Sequence, residues 1–137
     1  MEQRDYLKRV IDQIGLVLGK ITVALLGLRK GELATEGIQA VSTTLQDELD
    51  VDMDRLLKAD EEAFIHLLVE EKGFGAPHLE ALFDILLKVA DDMPVTALNR
   101  RLLYERCLFL CTYLDTVSHT ISFDRHLKSG RIAAGLH

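Results

Sequence analysis

Tryptophan is absent, proline and cysteine occur twice each, and aromatic side chains make up only 6% of the 137 residues. Each scarcity excludes something. With so few prolines, long stretches rich in Leu, Ala, Glu and Lys can run as uninterrupted helices. No segment alternates polar and apolar residues with period two over a useful length, which argues against a sheet. Two cysteines are too few for a disulfide framework and read as reduced thiols. Basic residues are also in deficit: 16 Lys and Arg against 22 Asp and Glu give a formal net charge of −6. That balance offers no field to a phosphate backbone, so no nucleic-acid partner is expected. A Gly-rich phosphate loop and a nucleophile motif are both missing. The chain therefore reads as a non-enzyme without a cofactor, and no catalytic residue is assigned.

Long hydrophobic runs are scarce as well. The most apolar one, "IGLVLGKITVALLGL" at residues 14–28, carries Lys20 in its middle. It falls a turn or more short of the roughly 20 residues that a membrane span needs. The opening "MEQRDYLKRVIDQ" mixes acids with bases and shows no cleavable signal pattern. These features predict a cytoplasmic protein with no membrane association.

What is present is a composition 48% hydrophobic, enough for one domain with a real core. The expected fold is all-α, with five to seven helices packed as antiparallel αα-hairpins. A single domain should cover residues 1–128, followed by a flexible tail at 129–137. The first helix should run from about Glu2 to Lys30, with Leu7, Val10, Ile11, Ile14, Leu18, Ile21, Leu25 and Leu28 in one stripe. Its other side begins with Asp5, Lys8, Arg9 and Asp12, then turns into Gly15, Leu16, Gly19, Val23 and Leu26. A helix apolar all round must be covered all round, which predicts that the first helix is the centre of the fold. Gly15 and Gly19, four apart, suit close approach of another backbone, either inside the monomer or at a homodimer seam.

Gly31 in "RKGEL" should end that helix, and a second helix from about Leu33 to Leu49 should fold back on it. Asp52 or Asp54 suits the cap of a short piece through "RLLK", and Asp60 the cap of "EEAFIHLLVEE". "KGFGAP" is the clearest break and starts a fifth helix over residues 77–90. A longer one should span about Thr96 to Ser118, and "TISFDRHLK" a last piece before the tail.

"KGELATEGIQAVSTTLQDELDVD" resembles the turn and second helix of a tetratricopeptide-type hairpin. Gly31, Leu33, Gly37, Val41 and Thr44-Leu45 approximate its pattern of a glycine, a large apolar residue, a small residue and further large ones. Gly37 stands where alanine is usual, one residue late. The resemblance covers one hairpin and extends to a second from the fifth and sixth helices, without a clean 34-residue self-repeat. The chain is also similar to a small group of bacterial all-helical proteins built from such hairpins. This likeness implies a scaffold for peptides or partner helices; no ligand-gripping residue carries over.

Three patterns invite a sharper function. In "ERCLFLCTYLDTVSH", Cys107, Cys111, Asp115 and His119 recur every four residues. Along a helix the run spans roughly 18 Å, whereas ligands sit about 2.0–2.3 Å from a shared ion, so the four cannot hold one metal. Both cysteines border the Leu103, Leu110, Leu114 and Val117 face and read as buried hydrophobes. In "DVDMDRLLKADE", Asp50, Asp52, Asp54 and Glu61 take positions one, three, five and twelve of a calcium loop. Arg55 stands where that loop needs glycine, and Lys58 adds a repelling charge. Arg106 projects into the arc of Leu102, Phe109, Leu110 and Tyr113, where it must snorkel, find a carboxylate, or meet an anion or partner. His66, His78, His119, His126 and His137 do not converge in sequence.

The expected function is thus a protein-interaction or scaffold role through helix packing, as a homodimer or with a protein partner. Its candidate contact residues are Gly15, Leu16, Gly19, Val23, Leu26 and Arg106. The rival is a small-ligand or ion-binding protein, with calcium near Asp50–Glu61 or an anion at Arg106.

Overall fold

The structure is a computed structural model and describes residues 2–117 and 122–136. The described residues form seven helices and no strand: α1 (Glu2–Leu26), α2 (Ile38–Leu49), α3 (Met53–Lys58), α4 (Glu61–Ile65), α5 (Ala76–Asp91), α6 (Leu98–Val117) and α7 (Phe123–Leu136). A π-helical stretch at Leu33–Gly37 leads into α2, and another at His66–Glu71 continues α4. The all-α expectation is met. None of these helices is long and apolar enough to cross a membrane.

Local chemistry sets the boundaries. Asp52 caps α3 by accepting from the Asp54 amide at 3.0 Å, and Asp60 caps α4 by accepting from the Ala63 amide at 2.8 Å. The second helix closes at Asp50, whose backbone is left-handed (φ 53°), with its amide returning to the Gln46 carbonyl. Extended Gly75 precedes Ala76 and Pro77 at the start of α5.

α1 ends at Leu26, earlier than the expected Lys30. The turn that follows needs a positive φ at Gly31 (+93°), and that conformation aims the Gly31 amide at the Asp92 carboxylate, 2.8 and 2.7 Å away. Asp92 also accepts from the Ala34 amide at 3.3 Å. A carboxylate just beyond α5 thereby satisfies free amides at the start of the second helix, an arrangement that favours negative charge.

The helices fold back on one another as hairpins. Lys20 meets Glu48, and Leu25 lies over Gly37, so α1 and α2 run antiparallel. A methyl group built on Gly37 would sit 3.2 Å from Leu25 Cδ2, which shows how closely the two helices cross. α5 and α6 are antiparallel too, with Tyr104 opposite Asp91 and Cys107 opposite Phe83. α4 packs on α6, where the Phe64 and Phe109 rings meet edge to face at 5.8 Å.

Two expectations are corrected here. The middle of the fold is α5, not the first helix. α5 packs on α1 and the start of the second helix on one side and on α6 on the other. Residues 85–87 and 89–90 are all buried, so this is the helix covered nearly all round. α1 buries a single stripe, Ile14, Val17, Leu18, Ile21 and Leu25; Val10 and Leu28 are partly covered, and Leu7 and Ile11 face solvent. The tail expected from residue 129 is instead the second half of α7. Ile132 is 1% exposed and Arg131 pairs with Asp91, which holds Ser129 and Gly130 in helix against their low propensity.

Candidate functional site: the open face of the first helix

Opposite the buried stripe of α1, Leu16, Val23 and Leu26 are 71%, 69% and 66% exposed. Gly19 lies between them, and a methyl group added there would meet nothing within 4 Å. Gly19 therefore does not pack inside the chain as expected, whereas a methyl group on Gly15 would lie 3.9 Å from His78 Nε2 of α5. The helical period brings Gly15, Gly19, Val23 and Leu26 onto neighbouring positions of one face. The glycines make a shallow trough and the larger side chains its walls. On the α5 side the trough is bounded by Pro77, His78 and Ala81. At its other edge Lys20 is tied to Glu48 of α2 at 2.8 Å, and Asp12 and Thr22 add polar groups to a lining that is otherwise apolar.

His78 is the ionisable group that α5 contributes to this wall, alongside Asp12 and Lys20 of α1, and the sequence signalled only that it lies near a helix start. It is the third residue of α5, and its Nδ1 accepts the Gly75 amide at 2.9 Å. With Nδ1 an acceptor, the neutral ring carries its proton on Nε2, the atom facing Gly15 of α1. Burial pulls its pKa below the ordinary value, with the Ile11 backbone pulling the other way. The edge of the Phe74 ring packs against it at 6.0 Å.

Arg106 does not join this face. It is buried, and its guanidinium is committed: Nε donates to the Leu56 carbonyl at 3.1 Å, one terminal nitrogen to the Ala59 carbonyl, and the other to Glu105 at 3.3 Å. Its plane also stacks over Phe109 at 5.2 Å. Arg106 thus ties α6 to the exit of α3. An anion there would have to displace protein acceptors, so the anion reading is corrected to a structural one.

The calcium pattern also disperses. α3 occupies the middle of the would-be loop, Asp52 and Asp60 are spent as caps, and Asp50 accepts from Gln46 and pairs with Lys72. No group of three or more His, Cys, Asp or Glu that could hold a metal forms among the described residues.

Cys107 and Cys111 are buried and free. Burial pushes both thiols up, Cys111 to about 11, so neither is a ready nucleophile. Asp115, from the same run, pairs with Arg125 at 3.0 Å; His119 lies outside the described residues. A further polar cluster went unnoticed in the sequence: the Tyr104 hydroxyl donates to Asp91 at 2.6 Å, and both terminal nitrogens of Arg131 donate to the same carboxylate. Its members lie 13 and 40 residues from Asp91, so no spacing announces them.

Comparison with protein-family models, with curated proteins and with solved structures found no match.

Proposed function

We propose that the chain is a protein-interaction or scaffold module that associates through the open apolar face of α1, with a second copy as its first occupant. The observation that carries this reading is the exposure of Leu16, Val23 and Leu26 around two glycines on one helix face. Apolar side chains at that density on one helix face favour a partner over water. Glycines at the centre of a helix pair permit a short interaxial distance, and a two-fold pairing would apply the same face twice. The likeness of the first hairpin to tetratricopeptide units supports the same reading, because such hairpins hold helices and peptides. Catalysis is no part of the proposal, and a cytoplasmic setting, in keeping with two free thiols, is.

Light scattering coupled to gel filtration tests it. The expected result is a mass that rises to twice the chain mass with concentration, and a return to monomer in the Leu16→Asp/Val23→Asp double variant. A strict monomer at high concentration would remove the second copy as occupant.

A further inference from the structure

α7 is attached to the body in a different way from every other long helix. Its buried side chains are Arg125 and Ile132, while Phe123 and Leu127 point outward. Where an apolar stripe would normally dock such a helix, it presents basic residues three apart. Arg125 reaches Glu80 at 2.6 Å and Asp115 at 3.0 Å. Lys128 lies 3.5 Å from Asp84, and Arg131 lies 3.2 Å from Asp91. Glu80, Asp84 and Asp91 all belong to α5 and Asp115 to α6, so α7 lies along the seam between those two helices. The acidic partners are 40–66% exposed, which leaves the ladder open to salt. Beneath it, Cys111 lies one helical turn before Asp115, the α6 partner of Arg125, and Cys107 one turn further back, against the Phe83 carbonyl of α5.

We propose that α7 is a detachable strap. It leaves the α5–α6 seam as a unit when its ion-pair ladder is screened, while α1–α6 stay folded, and it uncovers the Cys111 edge of the seam. Ile132, the partly covered Leu136 and the buried Arg125 anchor it, and the pairs of Lys128 and Arg131 are part-exposed. α5, by contrast, is fixed by apolar burial on nearly all sides and cannot leave without global unfolding. Sub-global opening of the least-buried element is the expected order of events. The inference is independent of the α1 face and stands or falls separately.

Thiol labelling of the full chain tests it, with Cys107→Ala leaving Cys111 as the reporter. Raising sodium chloride from about 0.1 to about 1 M shrinks the screening length from about 10 to about 3 Å. The expected result is a labelling rate at least about tenfold higher, the combined effect of a few part-exposed pairs, with the far-ultraviolet helical signal unchanged. Lys128→Gln/Arg131→Gln, which alters only exposed or part-exposed side chains, should reproduce the fast rate at low salt. Labelling indifferent to salt and to these substitutions would overturn the strap. So would labelling that climbs steeply with urea in step with global unfolding.

Discussion

His78 couples the α5 N-terminus to the back of α1, and its protonation has a defined cost. The cation has two N–H donors, so the bond from the Gly75 amide to Nδ1 is lost when the ring charges. Its folded-state pKa lies below the unfolded one, so the folded protein binds fewer protons. The stabilisation is therefore complete above about pH 6.5, the ordinary value, and is shed as pH falls through the lower folded value. Urea unfolding should show lower stability at about pH 5.5 than at about pH 7.5, a difference that His78→Gln does not share. Arg106 makes a second residue-scale case. Arg106→Met strands the Leu56 and Ala59 carbonyls and should cost about 2–4 kcal/mol in urea unfolding. Arg106→Lys keeps the charge but not the fork, and should recover no more than about half of that. At Gly37, alanine should stay within about 1 kcal/mol of the natural chain, since helix propensity favours it and flexible leucine ends oppose it. Gly37→Leu should lose about 1–3 kcal/mol by prising α1 from α2.

At the scale of elements, Asp92 is the clearest long-range tie. It binds the amides of Gly31 and Ala34 from the far end of α5. Asp92→Ala should lower stability by about 1–2 kcal/mol, and amide exchange in 31–35 should quicken more than in α6. Helix ends of this kind divide sharply in how far the sequence discloses them. Asp52, Asp60 and the break at Gly75–Pro77 are local chemistry, where the capping atom lies within a few residues of the amides it serves, and they read directly. Asp92 serves amides about sixty positions away, so nothing near Gly31 announces it, and the sequence pattern alone carries α1 four residues too far. The second half of α7 was missed for a related reason. Ser129 and Gly130 look like a terminator when taken alone, and only Ile132 and the Arg131–Asp91 pair, seen in space, hold the helix through them.

For the molecule as a whole, the count and type of helices are legible because most are long and periodic, and the short α3 and α4 are announced by their Asp52 and Asp60 caps. Their arrangement is not. A helix apolar on all sides reads the same whether its own chain covers it or its outer face is left for another molecule, so the sequence points to α1 as the centre that α5 occupies. Leu16→Asp/Val23→Asp discriminates at this scale. Both side chains are largely exposed in the single chain, so the monomer should keep its unfolding free energy within about 0.5 kcal/mol while association disappears. The same openness extends to the first turns of α1. From residue 4 to residue 13 only Val10 is even partly covered, so this end of the helix stands clear of the body like a handle. Arg4, Lys8 and Arg9 on that handle are ready cleavage points for a trypsin-like protease. How quickly they are cut in solution would report directly whether anything has taken hold of it.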